Sequence, residues 1–346
     1  MFKVITHDLK EEWNSIINNS KNTDIYYSWA YLNLFKIHGD GEPILFYFTK
    51  DSHEIINVAL KRDISSDINF NHLPSNKYFD LISPYGYGGT LISTNDQKII
   101  DEYFSLYESY CKKENIITEF VRFHPLIIDY KVLKNYYEII GLGKTVSMDL
   151  YNEDKIWSNL QTKLRGKIRQ TQRTGIDVFF SNDKKLVNQF KNIYESTMEK
   201  NEATSYYFFN DEFYESLVKD FKNNFFFAYA IYEEKIISMS IILLGNRILH
   251  YHLSGTLKDY YHLAPNNVIL LETALWGSIN GYDSFHLGGG LGSGEDNLLK
   301  FKQKFNKNND LQFHIGKKIF NDNVYLKLIS EREFHETPKF FPEYRA

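Results

Sequence analysis

A single cysteine, Cys111, stands in 346 residues, so no internal disulfide can form, and the chain is expected in a reducing compartment. Nowhere does it hold the roughly eighteen consecutive apolar residues that a membrane helix needs. The opening MFKVITHDLKEEW reads as a strand followed by a helix rather than as a charged-then-apolar leader, and the expected location is the cytoplasm. Positive charge is not in excess either. Forty Lys and Arg against 44 Asp and Glu leave a net charge of -4, which gives no global pull on nucleic acid, so any anion site must be local. There is no phosphate-binding Walker loop and no Gly-x-Gly-x-x-Gly register, because Glu295 follows the glycine run 288–294 where the pattern needs glycine. A Gly-x-Ser-x-Gly nucleophile elbow is missing as well. His250, His252 and His262 have no Cys or Asp at ligand spacing, and no metal site is expected.

What is abundant is apolar and aromatic surface. Hydrophobic residues make up 43% and aromatics 16% of the chain, enough for packed cores throughout, and the length exceeds that at which one core usually keeps growing. Two domains are expected, 1–143 and 144–346, divided where Gly141-Leu142-Gly143 interrupts the pattern.

The first half reads as strand 2–7, helices 7–18 and 28–37, and a hairpin of PILFYFTKD and EIINVALKRD about the turn Asp51-Ser52-His53. After these come the segment 80–92, a helix 97–113, the strand 116–124 and a helix ending at Gly141. The second half repeats this grammar: strand 145–151, one helix 156–173 and a strand IDVFF. Helices 184–200 and 211–221 follow, then three antiparallel strands separated by Glu233-Glu234 and Gly245-Asn246. A helix opened by Pro265, a strand into Gly288-Gly289-Gly290, a short helix from Glu295, the strand LQFHIGKKI and a last helix complete it. The fold class expected is α/β with mixed sheets and helices on both faces.

Several segments suggest chemistry. Lys163, Arg165, Lys167, Arg169 and Arg173 share one helix with no acid between them, the composition of a face for a diphosphate, nucleotide or tRNA end, or of a solvated surface. The glycines around Gly289 and Gly290 form either a tight structural turn or the wall of a site. Ser83-Pro84-Tyr85-Gly86-Tyr87-Gly88-Gly89 is too glycine-rich for regular strand. Tyr85 and Tyr87 are candidate acceptor contacts, with Arg122 and His124 supplying charge and a proton relay; the alternative is a rigid packing bend.

Taken in order, Ser83–Gly89, Arg122-Phe123-His124-Pro125-Leu126, the helix from Leu160 to Gly175, Gly288–Gly290 and Leu299-Lys300-Phe301-Lys302-Gln303-Lys304-Phe305 resemble the Fem-type transferases that build peptidoglycan cross-bridges. They equally resemble the wider Fem-like acetyltransferases of polysaccharide assembly in the cell envelope. The resemblance implies two tandem GNAT-like domains and direct attack of an amine on an activated acyl carbon, with acyl-CoA or aminoacyl-tRNA as donor. It places Lys302 beside the transferring group, to bind a donor phosphate or steady an oxyanion, with Lys304 a candidate substrate contact; the alternative is surface lysines over an apolar helix stripe. His252, late in the strand meander, and Glu272, on the helix after it, become candidate bases; each is equally an ordinary core or surface group. Two departures matter: the segment after Gly175 is too short for the helical arm of bridge-forming enzymes, and Lys258-Asp-Tyr-Tyr-His262-Leu-Ala264-Pro265 replaces the glycine-spaced pyrophosphate loop. The first expectation is therefore acyl transfer from acyl-CoA to an amine of a sugar or sugar nucleotide. Two alternatives stand beside it: transfer from aminoacyl-tRNA to a peptidoglycan precursor, and a non-catalytic glycan-binding protein on the same fold.

Overall fold

The structure is a computed structural model describing residues 1–309, 311–334, 338 and 340–346. It contains two compact units, Met1–Leu142 with Phe313–Ala346, and Gly143–Gln312. A contiguous second domain over 144–346 does not anticipate the second crossing near 312. Its cause is strand pairing, described below, which ties residues after 312 to the first unit.

The first unit runs β1 (Phe2–Thr6), α1 (Lys10–Asn19), α2 (Trp29–His38), β2 (Glu42–Lys50), β3 (His53–Asp63), β4 (Phe79–Ile82), β5 (Leu91–Ile92), α3 (Gln97–Lys113) and β6 (Ile116–Arg122). Local chemistry sets these limits. Ser28 caps α2 by accepting from the Tyr31 amide at 3.1 Å, and Asp96 caps α3 by accepting from Lys98 at 2.9 Å. Asp51 and Ser52 both take positive φ, the two-residue turn whose twist suits a hairpin. On α3 the residues Ile99, Ile100, Tyr103, Phe104, Tyr107 and Cys111 are buried, the apolar stripe of a helix lying on a sheet.

The second unit contains the end of β7 (Glu138–Asp149), then α4 (Glu153–Asn159), α5 (Thr162–Gln172), β8 (Asp177–Ser181), α6 (Val187–Lys200), α7 (Asp211–Phe221), β9 (Phe225–Tyr232), β10 (Lys235–Leu244), β11 (Ile248–Thr256), α8 (Pro265–Ile279), β12 (Ser284–Gly289) and α9 (Asn297–Gln303). The chain closes with β13 (Leu311–Ile319) and α10 (Asp322–Ser330). β13 pairs antiparallel with β6, Ile315 opposite Arg122, which is why residues after 312 belong to the first unit.

The two units repeat one topology. In the first, a strand, two helices and three antiparallel strands lead through α3 to a parallel strand, in the order β1-β2-β3-β4-β6-β13. In the second the order is β8-β9-β10-β11-β12-β7, with α8 linking the parallel pair β11 and β12. The sixth, antiparallel strand comes from after the repeat in one case and from before it in the other.

Two expected helices differ. The stretch 156–173 is broken at Leu160, which is extended (ψ 141°) and fully buried, while the Gln161 amide donates to the Lys304 carbonyl at 2.9 Å. One straight helix could not bury Leu160 and Leu164 and also make that bond. The helix expected to end at Gly141 is a short 3-10 turn, Val132–Asn135, followed by β7; two glycines and β-branched residues among 138–146 favour strand over helix.

Candidate functional site

In the second unit, β11 and β12 pair in parallel only from Ile248/Ser284 to His250/His286. Beyond this pair β11 continues on β10 to Thr256, and β12 continues on β7 to Gly289. The two strands part there, and their inner edges turn ladder groups into the gap. The rings of His250 and His286 meet edge to face, 5.8 Å between centroids, at the point of parting. One step further the register of β10 and β11 slips: Ile241 faces Leu253, Ile242 faces Tyr251, and His252 is the extra residue of a β-bulge. Bulges bend a strand and re-aim its side chains. Burial, with a smaller effect of His250, pushes His252 down to about 3, so its imidazole is neutral at physiological pH and a weak base.

The other wall of the gap is built by α9. Asp296 caps that helix, accepting from the Leu299 amide at 2.8 Å, and its second oxygen accepts from the Leu291 amide at 2.6 Å. Burial opposes its charge, but these amides and the Lys302 ammonium hold Asp296 below the usual carboxylate range. A Cβ on Gly290 would collide with Asp296, so this glycine is required by the turn itself. With α9 fixed, Leu299, Lys302 and Phe305 face inward, whereas Lys300 and Lys304 are exposed.

Lys302 is 8% exposed. Its Nζ donates to the Gly289 carbonyl at 2.7 Å and lies 5.9 Å from the centroid of the Tyr251 ring. One ammonium thus bonds the end of β12 and lies near the Tyr251 ring at the start of the parted stretch of β11. Burial pushes it down to about 8, with Asp296 opposing. Tyr251 in turn is paired with Ser254, hydroxyl to hydroxyl, at 2.6 Å.

The start of α8 is fixed by polar contacts. The fully buried Ser238 hydroxyl lies 2.8 Å from Asn266 Oδ1 and 2.8 Å from the Thr256 hydroxyl. Thr171 donates to the Leu263 carbonyl at 2.8 Å and Lys167 to that of His262 at 3.4 Å. The segment Lys258–Leu263 is a 3-10 turn ending in left-handed Ala264.

Lys302, Gly289, Gly290 and the bulged His252 therefore belong to the walls of one gap. Glu272 faces α5, accepting from Gln172 at 3.4 Å, with burial raising its pKa. Lys163 and Arg169 are exposed on α5 and Arg165 is half-buried. In the first unit, Tyr87 packs edge-on against Tyr26 at 5.5 Å and near His124 at 5.6 Å, and Tyr85 stacks on Phe35. His124 Nδ1 accepts from the Leu126 amide at 3.2 Å, and Nε2 lies 3.8 Å from Asp24. Arg122 is anchored by the Ser83 hydroxyl, which accepts from its amide at 2.9 Å. Tyr251 and Ser238 carry no local signal in the sequence, whereas Asp296, an Asp three residues before a buried Leu, carries that of a helix cap.

Residues 158–300 match the acetyltransferase (GNAT) domain. None of the curated proteins matches the chain. Among solved structures, the chain is similar to the crystal structure of FemX, with a TM-score of 0.70, 12% identity, and 96% of this chain and 100% of that one covered. It is also similar to the C-terminal domain of a putative lysylphosphatidylglycerol synthetase from Agrobacterium fabrum, TM-score 0.57, 10% identity, coverage 94% and 95%. A third likeness is to L-PGS from Bacillus licheniformis, TM-score 0.56, 12% identity, coverage 93% and 96%. The domain match over residues 158–300 supports an acyltransferase, and the structural likenesses show a shared fold.

Proposed function

We propose that this protein transfers an aminoacyl group from an aminoacyl-tRNA to an amine on a phosphate-bearing cell-envelope precursor, with the chemistry in the gap between β11 and β12. The observation that carries this reading is Lys302, a buried ammonium held against the Gly289 carbonyl at 2.7 Å where the two strands have parted. Attack of an amine on an ester carbonyl makes a tetrahedral oxyanion. An ammonium and backbone N–H groups in a water-poor gap stabilise that charge, and loss of such a donor costs about two to three orders of magnitude in rate. Neutral His252 on the bulge serves as a hydrogen-bonding wall rather than as a strong base. The amine proton then passes to solvent or to the leaving ribose oxygen. The likeness to FemX and to lysylphosphatidylglycerol synthetases over most of the chain supports the aminoacyl donor.

A second reading, acetyl or longer acyl transfer from acyl-CoA to an amino sugar, is supported by the start of α8. There Lys167 and the turn Lys258–Leu263 lie at the helix N-terminus that follows β11, a place where backbone amides favour a pyrophosphate. The experiment offers the purified protein radiolabelled aminoacyl-tRNA and acetyl-CoA in parallel, with UDP-linked muropeptide and amino-sugar acceptors. Ribonuclease-sensitive label transfer supports the first reading; thiol release with label on the amino sugar replaces it with the second.

A further inference from the structure

Resting on the aminoacyl-tRNA reading, we infer that the exposed face of α5 is the surface that holds the phosphate backbone of the donor RNA. Over Thr162–Gln172 and the following Arg173 the helix carries Lys163, Arg165, Lys167, Arg169 and Arg173 and no acid. Their hydrogen-bond and ring partners are neutral: Arg165 donates to the Thr162 hydroxyl at 3.1 Å, Lys167 to Gln170 and the His262 carbonyl, and Arg169 lies over the Trp157 ring at 5.8 Å. Among the described residues, none of the five is ion-paired.

Such an arrangement works against the helix. Lys163 and Arg165 sit in the first turn, at the positive end of the helix dipole, and the pairs 163/167, 165/169 and 169/173 repel at four-residue spacing. Gly166 adds a second oddity. It lies mid-helix, where glycine disfavours the helical state, yet a Cβ there would meet nothing within 4 Å. No packing constraint asks for glycine, and it leaves a flat spot among the cations where another backbone can approach closely.

The geometry selects a linear polyanion. Arg165, Arg169 and Arg173 form one row with steps of about 6 Å along the axis, and the five charges span about 15 Å, longer than a lone diphosphate. Arginine also forks onto phosphate oxygens. A lipid surface fits less well: the apolar residues Leu164 and Ile168 are buried in the core, so the outer face has no side chains to enter a bilayer.

The test compares the full-length protein with the triple variant Arg165→Gln, Arg169→Gln, Arg173→Gln and with Gly166→Ala, measuring binding of uncharged bulk tRNA against salt. Each phosphate contact contributes about 0.7 to 0.9 to the slope of log K on log salt. For the triple variant, with circular dichroism unchanged and Tm not lowered, the slope should drop by about 2 to 3 and affinity by tenfold or more. Gly166→Ala should raise Tm and weaken binding several-fold. If both variants bind tRNA as the parent does while ribonuclease-sensitive transfer persists, the inference is overturned and the functional reading stands. If the parent neither binds tRNA nor uses it as donor, both fall. Loss of binding to phosphatidylglycerol vesicles with tRNA binding intact assigns the face to membrane and overturns the inference.

Discussion

Arg345 gives its Nε to the carboxylate of Asp80 at 2.5 Å, joining the last described residues to β4 at a site where Asp80 is completely buried. Arg62 donates to the other oxygen at 2.6 Å and the Tyr344 hydroxyl to the first at 3.0 Å. Burial alone would raise the pKa of Asp80, yet the two guanidiniums hold it below the usual carboxylate range. Removing one partner of a buried charge is expensive. Arg345→Ala should cost about 3 kcal/mol in urea unfolding. Since the folded pKa of Asp80 is depressed, its contribution is present above pH 4 or so and is lost as pH falls through the folded value. The variant should therefore also have a shallower loss of stability on acidification.

Gly255 is a packing prediction. A Cβ there would lie 2.6 Å from the Ile193 carbonyl oxygen and 2.8 Å from the Tyr194 Cα, both backbone atoms of α6, which cannot rotate away. Gly255→Ala should destabilise the second unit by about 1 to 3 kcal/mol. It should also lower activity, because β11 carries one wall of the gap. Differential scanning calorimetry and turnover measured on the same sample check both.

Lys302 makes stability depend on pH in the alkaline range. Its folded pKa, about 8, lies below the usual lysine value, so between about pH 8 and 10.4 the unfolded chain binds more protons and stability rises with pH. At neutral pH the buried ammonium costs about 3 kcal/mol, on the conversion of 1.36 kcal/mol per pKa unit. Lys302→Met should be more stable than the parent at pH 7 and should lose this alkaline rise, which urea midpoints at pH 7 and 9.5 would reveal.

How far the sequence went is clearest at particular residues. Helix α3 was legible to its ends because Asp96 caps it and its six buried residues follow one stripe. The β2–β3 hairpin was legible through its polar turn at 51–53, of which His53 already belongs to β3 opposite Lys50. Local signals end there. That β13 joins β6 depends on pairing between residues almost two hundred apart, for which no neighbouring residue gives a sign. The bulge at His252 arises from a one-residue slip against β10, invisible in an apparently regular strand. Lys300, Lys302 and Lys304 look alike as letters. Only their phase relative to Leu299 and Phe305, fixed by the Asp296 cap, turns Lys302 inward and leaves the other two in water.

The pH dependence of kcat/KM with the aminoacyl-tRNA donor tests the central role of Lys302 most directly, set beside the same profile for Lys302→Met. If the ammonium stabilises the oxyanion, the parent's rate declines as pH rises through about 8, without an imidazole step between pH 6 and 7, and Lys302→Met is about two to three orders of magnitude slower with that alkaline limb gone. A Lys302→Met enzyme that turns over within a few-fold of the parent and keeps the alkaline limb would contradict the account.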